Sequence, residues 1–197
     1  MILNWNLFGI QFFQNSEKII NKIRFYKPEV LVLQNFSDKI IQNYITSDYN
    51  YHNYENKLLI ATKHKILTQH INKKRNLIIT MIDHPYYGKL NVGNTALSPN
   101  FSLKQNSLMN RQEHLNYILK NYNFNLLCGT LYEDFNVIKK IASKYKMNET
   151  KIITCPYTYN QEDYILVNMN KFDFYITSDI NCLSPHRLLN LNLSKWS

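Results

Sequence analysis

The sequence predicts an α+β fold built around mixed β-sheet, and three observations lead there. Its 197 residues are 45 % apolar and 14 % aromatic, enough to bury a full core. Short apolar, strand-like runs interleave with amphipathic stretches at helical spacing. Several neighbouring strands are joined too tightly for a helical crossover, so the sheet is not purely parallel. With four glycines, five prolines and no repeat or composition break, the chain reads as one domain over 1–197.

Ile2 to Leu7 alternates sides as a strand and ends at Gly9. Asn15-Ser16-Glu17 offers a cap, Ile19, Ile20, Ile23 and Tyr26 follow at helical spacing, and Pro28 stops the helix. Val30 to Leu33 is apolar throughout, as a strand buried on both faces must be. Ser37-Asp38 caps a short helix carrying Ile40, Ile41 and Tyr44, and the polar stretch 45–57 reads as loop. Leu58 to Ala61, Leu77 to Ile82 and Leu90 to Thr95 are strands, with a basic turn region between the first two. Ser107 opens a helix with Leu108, Arg111, Leu115, Ile118 and Leu119 on one face. Phe124 to Cys128 is a buried strand closed by Gly129. Phe135, Ile138, Ile141, Ala142 and Tyr145 form a helical stripe, with Lys139, Lys140 and Lys144 opposite. Tyr164 to Val167, Phe172 to Ile176 and Leu188 to Leu193 close the chain as strands.

The formal charge is +9, from 23 Lys and Arg against 14 Asp and Glu. Such an excess favours polyanionic partners. Lys63, Lys65, Lys73, Lys74 and Arg75 are the candidate nucleic-acid contacts, and a solvated hairpin tip explains them equally well. Asn, Ile, Lys and Tyr are abundant and have AT-rich codons, so an AT-rich genome accounts for part of this basicity and for many of the 15 tyrosines. Cys128, Cys155 and Cys182 match neither a disulfide framework nor zinc spacing and read as buried thiols. The histidines show no metal-ligand spacing, so no metal and no cofactor is expected from the residues themselves. No apolar run approaches a membrane span and no secretion signal opens the chain, so an intracellular location without a membrane partner is expected.

The order of segments resembles the endonuclease/exonuclease/phosphatase superfamily, which includes deoxyribonuclease I and abasic-site endonucleases. Trp5-Asn6-Leu7-Phe8-Gly9 stands where the family opens with W-N-V-x-G. Pro28-Glu29-Val30-Leu31-Val32-Leu33-Gln34-Asn35 matches P-D-I-x-x-L-Q-E, and Asn94-Thr95-Ala96-Leu97 matches N-T-H-L. Arg111 matches a helix-opening Arg. Gly129-Thr130-Leu131-Tyr132 matches G-D-F-N, Gln161-Glu162-Asp163-Tyr164-Ile165-Leu166 matches R-I-D-Y-I-L, and Ser184-Pro185-His186-Arg187 matches the final S-D-H turn. The resemblance implies a two-layer β-sandwich of mixed sheets flanked by helices, with a phosphodiester-cleaving site at one end.

In that family a divalent ion, usually magnesium, is held by Glu and Asp, and a His supported by Asp handles the attacking water. Carried over residue by residue, Asn6, Asp163 and His186 survive. Asn35 replaces the metal-binding Glu, Ala96 the His, Thr130 the Asp, Tyr132 the Asn, and Pro185 the last Asp. One family carboxylate cannot offset the dehydration cost of magnesium. The expectation is a catalytically inactive protein, without a metal, retained for nucleic-acid binding or as a module in a larger protein assembly. The alternative is an active magnesium-dependent phosphodiesterase with displaced ligands, for which Asp38, Glu133 and Asp134 are the available carboxylates; their helix-capping positions explain them without chemistry.

Overall fold

The structure is a computed structural model describing residues 1–7, 12–36, 38–55, 57–97, 106–148, 151–152, 154, 161–168, 170–179 and 187–195. Its strands are β1 (Ile2–Asn6), β2 (Val30–Gln34), β3 (Asn50–Tyr54), β4 (Leu58–Thr62), β5 (Lys65–Asn72), β6 (Leu77–His84), β7 (Gly88–Ala96), β8 (Leu126–Thr130), β9 (Met147–Asn148), β10 (Asp163–Asn168), β11 (Phe172–Asp179) and β12 (Leu188–Lys195). Its α-helices are α1 (Phe12–Tyr26), α2 (Lys39–Asp48), α3 (Asn106–Asn121) and α4 (Phe135–Ser143).

Two six-stranded sheets face each other, ordered β11-β12-β1-β2-β4-β3 and β5-β6-β7-β8-β10-β9. Both are mixed. The parallel pairs, β1 with β2 and β7 with β8, are the two joined through a helix, as a parallel crossover requires. Helices α1 and α2 cover the outer face of the first sheet, packing Ile19, Ile23, Ile41 and Ile45 on Leu3, Trp5, Leu31 and Leu33. Helices α3 and α4 cover the second, packing Leu115, Ile118, Ile138 and Ile141 on Leu127, Tyr164 and Leu166. Two-sided burial explains the uninterrupted apolar run of β2, whose five residues are all buried.

Period two decides what enters the space between the sheets. The inward positions are Ile2, Asn4 and Asn6 on β1, Val30, Val32 and Gln34 on β2, and Leu126, Cys128 and Thr130 on β8. On β7 they are Val92, Asn94 and Ala96, and on β10 Asp163, Ile165 and Val167. On β1, β2, β8 and β10 the set is apolar in mid-sandwich and turns polar toward the same end, and β7 places Asn94 there, one step before Ala96. The strand directions therefore gather Asn6, Gln34, Thr130 and Asp163 at one pole.

Three strands lie where the sequence shows no strand signal. β3 falls in the stretch read as loop, α2 reaches to Asp48, and β5 occupies the stretch read as a basic turn region. Both β3 and β5 are edge strands with at most one buried residue each, so they carry little of the apolar signature that marks β2. β9 is only two residues long. α1 starts at Phe12, ahead of the expected cap, and Ser16 instead donates its hydroxyl to Asp38 at 2.9 Å. Gly9, Ser37, Cys155 and Cys182 lie outside the described residues.

Candidate functional site

The polar pole is held by a chain of side-chain hydrogen bonds. Asn35 Nδ2 donates to Asn6 Oδ1 at 2.8 Å, and Asn6 Nδ2 donates to Thr130 Oγ1 at 2.8 Å. Thr130 Oγ1 then donates to Asp163 Oδ1 at 2.6 Å. Asn6, Thr130 and Asp163 are essentially buried. The chain crosses both sheets, since Asn6 ends β1 and Asn35 follows β2, while Thr130 ends β8 and Asp163 starts β10 opposite it. Asn35 takes a left-handed backbone, φ 54°, which Asn tolerates better than most residues. Four of the positions singled out by sequence thus meet.

The remaining positions are placed as follows. Ala96 ends β7 beside Thr130, and its carbonyl accepts from Asn76 Nδ2 at 2.6 Å. Tyr132 follows two residues after Thr130 with φ 49°. Pro185 and His186 lie outside the described residues. Their neighbour Arg187 donates its backbone N–H to Thr154 O at 2.7 Å, and Thr154 Oγ1 accepts from the Asp163 N–H at 2.9 Å. The start of β12 is therefore tied to the same pole.

Gly129 makes room for this arrangement. A Cβ there would lie 2.0 Å from Thr95 O on the paired strand, with φ +155°. Only glycine lets β7 and β8 approach closely enough to set Thr130 in line with Ala96.

A second polar layer lies beneath. Gln34 Nε2 donates to Asn4 Oδ1 at 2.8 Å and to Asn94 Oδ1 at 2.7 Å. Asn94 Nδ2 donates to Leu33 O at 2.9 Å and Leu59 O at 3.0 Å, binding the two sheets together. Sequence reasoning missed Asn4, Gln34 and Asn94 as a set. Their signal was inward period-two position: Asn4 and Asn94 lie one step below Asn6 and Ala96, and Gln34 follows Val30 and Val32.

The three spare carboxylates are engaged elsewhere. Asp38 Oδ1 caps α2 by accepting from Ile40 N at 2.7 Å and Ile41 N at 3.0 Å. Asp134 caps α4 through Asn136 N at 2.8 Å. Glu133 Oε2 faces Arg111 Nε at 3.7 Å, with both side chains largely buried. Among the described residues the donor set of the pole therefore does not fit a divalent ion. It offers one carboxylate and three neutral groups already satisfying one another, whereas magnesium demands several hard, charged oxygens in octahedral array. Cys128 is fully buried, and burial pushes its thiol up to about 12, so it is a core residue rather than a nucleophile.

The basic cluster is divided by the fold. Lys63 and Lys65 stand at the far pole, where Lys65 lies opposite Asp83 in the β5–β6 register and the Lys63 backbone N–H donates to Glu29 O. Lys73, Lys74 and Arg75 form the 3₁₀ turn after β5, about 25 Å away along that strand. That turn abuts the candidate site: Asn76 bonds Ala96 O, and Thr95 Oγ1 donates to Asn76 O at 2.9 Å. It is also docked on α3, where the Arg75 guanidinium lies 4.2 Å over the Tyr117 ring and Arg75 O bonds His114 Nε2 at 2.9 Å. Among the described residues no helix is long and apolar enough to cross a membrane.

No family model and no curated protein sequence matches the chain. Solved structures do. An endonuclease/exonuclease/phosphatase from Beutenbergia cavernae superposes with a TM-score of 0.76 at 14 % identity, covering 98 % of this chain and 71 % of the other. D. rerio TDP2 in complex with a single-strand DNA product superposes at 0.73 and 14 % identity, covering 97 % and 98 %. An AP endonuclease from Archaeoglobus fulgidus superposes at 0.66 and 13 % identity, covering 98 % of each. With paired six-stranded mixed sheets between two helical layers, the chain has the deoxyribonuclease I-like fold of the endonuclease/exonuclease/phosphatase proteins.

Proposed function

We propose that this chain is a non-hydrolytic protein of the endonuclease/exonuclease/phosphatase fold that binds nucleic acid at its polar pole. The observation that carries the reading is the hydrogen-bonded chain Asn35–Asn6–Thr130–Asp163, in which one carboxylate stands among three neutral groups where catalysis needs several free carboxylates. Lys73, Lys74 and Arg75 sit on the rim of that pole and supply the cations a phosphate backbone needs. Structural relatives crystallised with DNA, the TDP2 complex and a Neisseria 3′ phosphatase bound to product DNA, support the same class of partner.

The test has two arms. Single- and double-stranded DNA, RNA and abasic DNA are incubated with the protein and magnesium or manganese. The same oligonucleotides are then titrated by fluorescence anisotropy across a salt series. The expected result is no cleavage, and binding whose salt slope drops by about 2–3 in the Lys73→Ala/Lys74→Ala/Arg75→Ala variant but not in Lys63→Ala/Lys65→Ala. Cleavage abolished by EDTA and by Asp163→Asn overturns the reading in favour of a metal-dependent phosphodiesterase. Absence of binding at low salt overturns it in favour of a role within a protein assembly.

A further inference from the structure

We propose that Glu29, His64 and His84 form a site for a divalent transition metal of the zinc class, at the pole opposite the candidate functional site. The three residues come from separate elements. Glu29 precedes β2, His64 lies in the β4–β5 turn and His84 ends β6. The length of β2 puts them roughly 20 Å from Asn35.

The ligand atoms already converge. Glu29 Oε1 is 3.7 Å from His64 Nε2, and Glu29 Oε2 is 3.8 Å from His84 Nε2. All three ligand atoms lie within 4.8 Å of one another. Around a tetrahedral zinc with bonds of about 2.0–2.1 Å, neighbouring ligand atoms stand about 3.3–3.4 Å apart. A small inward shift therefore makes the site. Two imidazoles and one carboxylate suit zinc, whereas magnesium prefers oxygen donors.

A second observation points the same way. His64 Nε2 is buried and has no hydrogen-bond partner, a costly state for a ring nitrogen. A metal ion would satisfy it. The Glu29 side chain is 41 % exposed and opens a path to solvent, while the His84 side chain is only 5 % exposed. The Met1 ammonium binds Glu29 Oε2 at 2.6 Å, so Oε1 is the oxygen left to the metal.

The site is coupled to a turn. His84 Nδ1 accepts from the N–H groups of Tyr86 and Tyr87, each at 3.2 Å. The neutral ring therefore carries its proton on Nε2. Ligation at Nε2 requires that proton to leave and Nδ1 to gain one, so the ring stays neutral and the two long turn bonds open. Metal binding thus works against the 84–87 turn. Affinity falls below that of an unopposed three-ligand zinc site, and the Tyr86 and Tyr87 amides report loading.

The experiment is a calorimetric titration of the full chain with zinc chloride, repeated on His64→Gln, His84→Gln and His70→Gln, with amide spectra by NMR. His70 is an exposed histidine outside the cluster and serves as control. One equivalent of zinc should bind. His64→Gln and His84→Gln should each weaken it at least about tenfold, as loss of a supporting group at a metal site already does. His70→Gln should change nothing, and the Tyr86 and Tyr87 amides should shift on loading. His64 is partly exposed, so its variant keeps the test decisive if His84→Gln disturbs folding. No binding, or binding equal in wild type and His64→Gln, overturns the proposal. Either outcome is independent of nucleic-acid binding at the other pole.

Discussion

Replacing Thr130 by Val isolates the chemistry of the polar pole from its packing. The two side chains have nearly the same shape, so the substitution removes one hydroxyl and little volume. That hydroxyl serves two buried partners, accepting from Asn6 Nδ2 at 2.8 Å and donating to Asp163 Oδ1 at 2.6 Å. Losing a partner at a buried donor or acceptor costs ~1–3 kcal/mol, more where a carboxylate is involved. Two such losses, each softened by the other contacts of Asn6 and Asp163, come to ~2–4 kcal/mol. Thr130→Ser is the matched control. It keeps the hydroxyl and gives up one methyl group, a cost of about 1 kcal/mol. At about 2–4 °C per kcal/mol for a chain of this size, Val should melt several degrees below Ser. Urea denaturation of the three proteins supplies the free energies directly. If Val proves as stable as Ser, the chain from Asn35 to Asp163 is not what holds this pole together.

Three further outcomes are expected. Gly129→Ala should destabilise by about 3 kcal/mol, because its Cβ would stand 2.0 Å from Thr95 O and its backbone is one that side chains resist; urea denaturation reads it. Acid should destabilise the fold in two stages, measured by thermal denaturation against pH. Burial holds His52, His84 and His114 below their ordinary 6.5, so the unfolded chain binds more protons and their stabilisation, complete above pH 6.5, is lost as pH falls below it. Glu29 is held below its ordinary 4.5, chiefly by its hydrogen bond from the Met1 ammonium, so its share persists to lower pH and is lost beneath 4.5. Thr130→Asp should be less stable than wild type at neutral pH and recover toward it in mild acid, where the new carboxylate and Asp163 can share a proton; equal stability at both pH values would contradict the neutral-network account.

The sequence was most informative where burial is two-sided. β2, β8 and β10 are runs of apolar residues because helices cover one face and the facing sheet the other, and these were read directly. β3 and β5 went unread because edge strands hydrogen-bond with an exposed, polar surface that resembles a loop in composition. At the site, Asn6, Asn35, Thr130 and Asp163 were legible through the family motifs they align with, each beside an apolar strand that fixes the alignment. The division of Lys63 and Lys65 from Lys73, Lys74 and Arg75 was not legible, since only the presence of a strand between them sends the two groups to opposite poles. Glu29, His64 and His84 share no spacing motif either. Sheet pairing assembles them, as Val30 pairs with Thr62 in one sheet and the His64 ring meets the His84 ring of the other at 4.4 Å.

On the proposed non-hydrolytic reading, the neutral residues at the pole form a consistent set rather than scattered losses. Buried carboxylates grouped around one point are stable only with a cation between them. Removing the cation-binding role of any single member would leave its neighbours charged, close and uncompensated. Asn35 and Thr130 avoid that cost because each keeps hydrogen-bonding capacity while shedding charge. Asn35 can donate where a Glu carboxylate could only accept, and it does so to Asn6. Thr130 can accept and donate at once, linking Asn6 to Asp163, which an Asp carboxylate at that position could not do. Asp163 is tied in at two points: its Oδ1 accepts the Thr130 hydroxyl, and its backbone N–H donates to Thr154 Oγ1. On the proposed reading the network itself holds this carboxylate, through the Thr130 hydroxyl, without calling on a metal.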